Sequence, residues 1–261
     1  MTNLKNSFHK CSLRRIIFLF AVLSLLPFNI YAFNFSNWNA LLKKYASPKS
    51  ISGIRLNAVN YKKLKADQNF RKLTIDLESI QLSELNSKKK VLAFWINAYN
   101  ILAVKTVLDQ YPIRSIKDAG TLFTSVWKKK VGIIGEVQRS LHEIEHKILR
   151  GVGDPRIHAA IVCASVSCPD LRLEAFTEDR LDKQLDEQMR TFLSNPQKGL
   201  EIRNNKLFLS PIFNWFKEDF EKMGGVLEFI SLFVDGKIKE KITSGKLKIQ
   251  FMEYNWNLNG F

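Results

Sequence analysis

The sequence predicts an α+β fold in a single compact domain. A buried central helix at about 89–111 packs against a small, mostly antiparallel sheet and surrounding helices. Three observations predict this. Residues 89–111 form a long run that is apolar nearly all round, as expected of a helix enclosed on most faces. Two stretches of loose alternation, 127–138 around Gly132 and Gly135 and 200–209 around Asn204 and Asn205, read as hairpins. Helical blocks and strand patterns do not alternate regularly, and there is no repeat or low-complexity tract, which separates the chain from a doubly wound parallel sheet.

The elements follow in order. Trp38, Leu41, Leu42 and Tyr45, spaced three and four apart, predict an amphipathic helix over 37–45. A polar connector, 46–53, comes next, then short helices at 61–70 and 82–85. The central helix ends before Pro112, since the residue preceding a proline is pushed out of helical geometry. Ser140 stands as N-cap to a helix over 141–150, with Glu143 at the capping-box position. The apolar run 156–163 reads as a buried strand. Thr177 is placed to cap an amphipathic helix, 178–194, that turns Leu181, Leu185, Met189, Phe192 and Leu193 inward. Two or three short helices and a last strand at 246–254 complete the chain.

Residues 1–32 read as a signal peptide. Lys5, Lys10, Arg14 and Arg15 precede an apolar core at 16–26, Pro27 breaks it, and Ile30 and Ala32 fit a cleavage site. That core is shorter than the roughly 20 residues a membrane span needs. The expectation is an exported, periplasmic or extracellular protein with no membrane span after cleavage. It leaves one α+β domain at 33–261, with an N-terminal helical part at 33–79. The net charge is +15, and without the four cations of the leader it is +11. The charge comes mostly from lysine, 28 against 12 arginines, and is spread along the chain. A focused arginine patch suited to phosphate recognition is absent, so nucleic acid is not an expected partner. An anionic envelope component is the partner class that the charge allows. No cofactor is expected.

Histidines and cysteines carry the candidate chemistry. His142, Glu143 and His146 spell H-E-x-x-H, the helical spacing of a zinc site. Charged Glu145 and Lys147 beside it, and the want of a clear third ligand, argue against zinc, and no metal site is expected. Cys163 is the candidate nucleophile, which requires a base, a cation or a helix N-terminus to lower its pKa. Strand alternation over 156–163 would put His158 and Cys163 on opposite faces, which leaves His146 as the freer base. Glu145 points elsewhere than its neighbour His146, and each can enter a cleft. Residues 164–167 offer backbone amides for an oxyanion. Alternatively Cys163 and Cys168, an even pair in an oxidising compartment, form a disulfide, or both are buried free thiols. Asn97 and Asn100, in the buried helix, must be hydrogen-bonded. Asn97 either orients a histidine or, more in keeping with buried amides, satisfies the backbone of a crossing loop.

Four motifs together resemble the domain of unknown function 547 family. They are Ala93-Phe-Trp-Ile-Asn-Ala-Tyr-Asn100, Ser140-Leu-His-Glu-Ile-Glu-His-Lys-Ile-Leu-Arg150, Pro155-Arg-Ile-His-Ala-Ala-Ile-Val-Cys-Ala-Ser-Val-Ser-Cys-Pro169 and Tyr254-Asn-Trp-Asn-Leu-Asn259. The family-like core covers about 80–261. The resemblance brings no established activity. It implies that Asn97, Glu145, His146, His158 and Cys163 form the functional set, with residue 168 accessory. The family pattern lacks a histidine at 142, so the zinc spelling is incidental, and Asn255 stands where an acidic residue is usual.

Two functions fit these residues. One is a thiol-dependent hydrolase or acyl transferase of the cell envelope, with Cys163 as nucleophile, His146 or else His158 as base, and Glu145 or Asn97 orienting. The other is a non-catalytic envelope binding or scaffolding module in which a Cys163–Cys168 disulfide is a structural clip.

Overall fold

A computed structural model describes residues 33–121 and 123–261. The expected signal peptide, 1–32, lies outside the described residues.

Helix α1 (Ser36–Tyr45) buries Trp38, Leu41 and Leu42, the stripe that its spacing dictates. The polar segment expected to be a connector is instead strand β1 (Ala46–Ile51), paired antiparallel with β2 (Ile54–Val59). Ser52 and Gly53 close the hairpin with φ of +52° and +79°, the mirror-image turn that suits strand twist. β1 has one buried residue, so its strand state left no hydrophobic alternation to read. Helices α2 (Tyr61–Lys65) and α3 (Gln68–Glu78) follow, the second capped by Asp67.

Helix α4 (Lys88–Gln110) is the centre of the fold, with sixteen of its 23 residues buried. Among the described residues it is the one helix long and apolar enough to cross a membrane, and its burial identifies it as a core helix. Ser87 caps it by accepting from the Lys90 amide at 3.1 Å. The predicted hairpin at 127–138 is β3 (Lys130–Ile134) with β4 (Val137–Ser140).

The helix predicted from Ser140 is present with its capping box. Glu143 N–H donates to Ser140 Oγ at 3.1 Å and Ser140 N–H to Glu143 Oε2 at 3.0 Å. Its middle, Glu143–Leu149, is a π-helix that passes into α5 (Arg150–Val152). A five-residue hydrogen-bond repeat stacks Ile144 under Leu149 and Glu145 under Arg150. The Arg150 N–H donates to the Glu145 carbonyl accordingly.

The predicted strand at 156–163 is overturned. Ile157–Ala160 is a helical turn, α6, and only the residues after it are extended. Pro155 supplies preset helical φ at its start, and the Asp154 carboxylate accepts from the Arg156 amide at 3.0 Å. A short apolar run carries no period that separates helix from strand, and here the turn chemistry before it decides. Helix α7 (Leu181–Leu193) begins later than expected, with Arg180 rather than Thr177 at its N-cap position and no side-chain cap, and the Thr177 amide donates to Gln184 Oε1 at 2.9 Å. Strands β5 (Leu200–Arg203) and β6 (Lys206–Leu209) form the predicted hairpin with Asn204 and Asn205 both at positive φ. Helices α8 (Ile212–Trp215), α9 (Lys217–Glu221), α10 (Val226–Ser231) and α11 (Gly236–Thr243) lead to β7 (Lys248–Phe251), which adds parallel to β6.

The fold is α+β, as predicted, with its strands divided among three small sheets. The core forms two clusters. One surrounds α4 and takes in the start of α7, and the other gathers the end of α7, β5, β6 and α8–α11. A pocket opens at their seam.

Candidate functional site

Cys163 follows α6 at the point where the chain turns away from α4. The turn is held from three sides. From α4, Asn100 Nδ2 donates to the Ala160 carbonyl and its Oδ1 accepts from the Val162 amide, both at 2.9 Å. From the far end of the chain, residues 254–261 run alongside. The Val166 amide donates to the Asn257 carbonyl at 2.8 Å, the Ser167 amide to the Asn255 carbonyl at 3.2 Å, and the Asn259 amide to the Ala164 carbonyl at 3.0 Å. From below, buried Lys198 donates to the Cys168 carbonyl at 2.9 Å and pairs with Asp170 at 2.6 Å. Ala164 sits at φ +55°, a strained conformation for a residue with a Cβ, and it persists because its surroundings over-determine it.

These bonds consume the amides of Val166, Ser167 and Cys168, the last on the Ser165 carbonyl at 3.1 Å. Within the loop 164–167 the Val166 and Ser167 amides are therefore not free for an oxyanion, while the Ser165 amide is directed at the Cys163 sulfur. Asn97 is likewise committed. Its Nδ2 donates to the Ala93 and Phe176 carbonyls, and its Oδ1 accepts from the Phe176 amide. It fixes a crossing loop and orients no histidine.

The two cysteines are free thiols with sulfurs 3.0 Å apart. The Cys163 amide also donates to Cys168 Sγ at 2.9 Å. In the neutral pair Cys163 donates its S–H to Cys168; once Cys163 ionises, Cys168 becomes the donor. Ser165 Oγ at 3.0 Å and Tyr254 Oη at 3.2 Å complete the ring around Cys163. Hydrogen bonding from Cys168, then from Ser165 and Tyr254, outweighs burial and brings the Cys163 thiol down to about 7. Burial and the neighbouring sulfur push Cys168 well up. Cys163 is half-buried and Cys168 buried.

Both sulfurs line a pocket of about 200 Å³ together with Tyr99, Glu145, His146, His158 and a run of aromatic rings. Glu145 is buried and accepts from Tyr99 Oη at 3.2 Å. Burial raises its carboxyl to about 7. The Nδ1 of His146 lies 2.9 Å from Arg150 Nη1. A guanidinium only donates, so Nδ1 accepts and the neutral ring carries its proton on Nε2. Burial and the nearby cationic groups lower this histidine to about 4, so the ring is neutral at pH 7.

His158 is buried against Phe216, ring centroids 4.1 Å apart, with Nε2 2.7 Å from Asp219 Oδ2. Burial lowers its pKa, with the Asp219 bond acting the other way. Asp219 is also gripped by Arg150, Nε to Oδ2 at 2.6 Å and Nη2 to Oδ1 at 2.7 Å. Burial would raise this carboxyl, but the bonds from His158 and Arg150 hold it below the usual carboxylate range. It therefore accepts from His158 Nε2–H and leaves the Nδ1 lone pair of that ring unprotonated.

The helical turn at α6 thus overturns the strand-face argument, because His158 and Cys163 line one pocket. Glu145, His146, His158 and Cys163 come together there, and Asn97 does not. The zinc spelling dissolves into local structure. The rings of His142 and His146 lie tilted with centroids 4.3 Å apart, while Glu143 turns to Ser140 and to Lys130. Among the described residues no group of three or more His, Cys, Asp and Glu side chains gathers as for a metal.

Sequence reasoning missed Arg150, Asp219, Lys198 and the aromatic wall. Trp127, Trp215, Tyr254 and Trp256 touch one another in a chain of rings, and Lys117 Nζ lies 3.7 Å over Trp256. Trp215 is 48% exposed, which marks the wall as a rim open to solvent. The signal for Asp219 was its place three residues after Phe216 and one before Phe220, an acid inside an apolar helix face.

Fold and site define an α+β protein with two adjacent thiols at the floor of an aromatic pocket. Within that class, residues 82–193 match the model of the family described as Protein of unknown function, DUF547. The matched span holds Glu145, His146, His158 and both cysteines. It ends before Trp215, Asp219 and Tyr254. No curated protein and no solved structure matches the chain.

Proposed function

We propose that the protein is a thiol-dependent hydrolase or acyl transferase with Cys163 as its nucleophile, exported to act in the cell envelope. One observation carries the reading: a half-buried thiol brought to about 7 by three hydrogen-bonding neighbours, facing a pocket. Such a thiol is partly thiolate at neutral pH and attacks without a base beside it. The thiolate adds to an acyl carbon, and the leaving group takes a proton from Glu145, about half protonated at pH 7. Nε2–H of His146 is a donor for the developing oxyanion. The lone pair on Nδ1 of His158, held by Asp219, draws a proton from the water or acceptor that cleaves the thioester.

This revises the expected division of labour. His146, tied by Arg150, donates rather than accepts, and His158 takes the role of base. Reactivity of Cys163 toward an alkylating agent, followed against pH, should fall by half near pH 7. Hydrolysis of an activated ester should vanish in Cys163→Ala while cooperative thermal unfolding is retained. Ester turnover that survives in Cys163→Ala ends the proposal.

A further inference from the structure

We propose that the site also carries out thiol–disulfide exchange, with Cys163 as the attacking sulfur and Cys168, 3.0 Å behind it, as the resolving one. This rests on Cys163 being the nucleophile of the pocket and adds a reaction that acyl transfer does not require. Its substrates are disulfides that fit against the aromatic rim.

The geometry supplies what a dithiol exchanger needs. The attacking sulfur is half-buried at the pocket, and the resolving sulfur is buried behind it. The distance between them must close by about 1 Å to reach the bond length of about 2.05 Å. The loop that joins them is fixed by Asn100, Lys198 and residues 254–261, which hold the two sulfurs side by side. Proton placement favours the same order of events. The thiol lowered to about 7 is near the optimum for attack at neutral pH, and the raised thiol stays protonated until a mixed disulfide forms.

Cys163 thiolate attacks one sulfur of RSSR, forming Cys163–S–SR and releasing RS⁻. Cys168 loses its proton and attacks Cys163 Sγ, forming the Cys163–Cys168 bond and releasing a second thiol. The substrate disulfide gains two electrons, and the protein dithiol gives them up. Acyl transfer differs because a thioester on Cys163 is not at the oxidation level of a disulfide, and Cys168 cannot turn it into one.

The test uses the reduced full-length chain with 4,4′-dithiodipyridine. Released thiol is followed by absorbance, and the peptides bearing Cys163 and Cys168 are mapped by mass, which keeps Cys11 out of the count. In the wild type the site should release two thiols, and its peptides should end joined and two hydrogens lighter. Cys168→Ser and Cys168→Ala should stop at one thiol with the probe held on Cys163. A stable mixed disulfide on wild-type Cys163 overturns exchange and leaves the nucleophile standing. Exchange without ester turnover overturns the acyl chemistry alone. A Cys163 that reacts no faster than an ordinary exposed thiol overturns both.

Discussion

Glu145 and Cys163 titrate in the same range for opposite reasons, and the sign of each decides what pH does to stability. Burial raises Glu145 from an ordinary 4.5 to about 7. Its contribution is complete below about 4.5 and is lost as pH climbs through 7. Cys163 is lowered from 9 to about 7, so its contribution is present above 9 and is lost as pH falls through 7. His146, lowered from 6.5 to about 4, behaves like Cys163 at lower pH, present above 6.5 and lost as pH falls through 4. The opposed terms flatten the wild-type profile, and a single variant exposes each. Glu145→Gln should gain on the wild type by about 1 kcal/mol between pH 6 and pH 8. Cys163→Ala should lose ground over the same interval. Urea denaturation at the two pH values measures both, and a Glu145→Gln difference that is constant with pH shows that the carboxyl is not perturbed. Asn100 is the other residue to test. It is buried, and truncation to alanine strands the Ala160 carbonyl and the Val162 amide. The cost should be about 2–4 kcal/mol, with the alkylation midpoint of Cys163 moved upward. A loss below about 1 kcal/mol would mean that the loop satisfies itself.

At the scale of elements, the π-helix is what turns Arg150 toward Asp219. An added residue in the repeat stacks Glu145 and Arg150, one facing the thiol pocket and the other clamping the partner of His158. Deleting exposed Lys147 should restore an α-helical repeat and rotate everything after it by about 100°. Arg150 then leaves Asp219 and His146. We expect a loss of about 1–3 kcal/mol, since both partners of the ion pair are only partly buried, and at least a tenfold fall in ester turnover. A deletion variant with unchanged turnover would show that the π-turn is incidental. This element also shows where sequence reading stops. Its start was legible because Ser140 and Glu143 lie three residues apart and meet locally. The π repeat was not, because the same capping box opens an α-helix. The central helix and the Asn204–Asn205 hairpin were legible for the same local reasons. Strand β1 was hidden by its polar faces, and the α6 turn by an apolar run without a period. Of the site, the four residues that meet in the pocket came from motifs. Lys198, 30 positions from the carbonyl it holds, had no local signature, and Asp219 showed only as an acid among aromatic residues, with nothing to tie it to His158, 61 positions away.

At the scale of the molecule, the segment 254–261 ties distant parts together. Tyr254 and Trp256 build the pocket wall, and the four residues after Asn257 act as a strap. The Leu258 amide donates to the Arg114 carbonyl at 2.7 Å and the Asn259 amide to Ala164. The Asn259 carbonyl accepts from Val59, the Phe261 amide donates back to Val59, and Asn259 Oδ1 accepts from buried Tyr61 Oη at 2.7 Å. The strap thus joins the β1–β2 hairpin, α2, the turn after α4 and the cysteine loop. A chain ending at Asn257 keeps the pocket wall but loses these bonds. Tyr61 is left with an unpartnered hydroxyl at full burial, which costs about 1–3 kcal/mol. Losing buried Leu258 costs about 2 kcal/mol more. At about 2–4 °C per kcal/mol, the melting temperature should fall by about 6–20 °C. Cys163 keeps Cys168, Ser165 and Tyr254, so in the folded fraction its alkylation midpoint should remain near pH 7. A truncated chain that melts within about 3 °C of the parent, or one that stays stable but loses the lowered midpoint, would show that stability and thiol activation are not divided between the strap and the wall in this way.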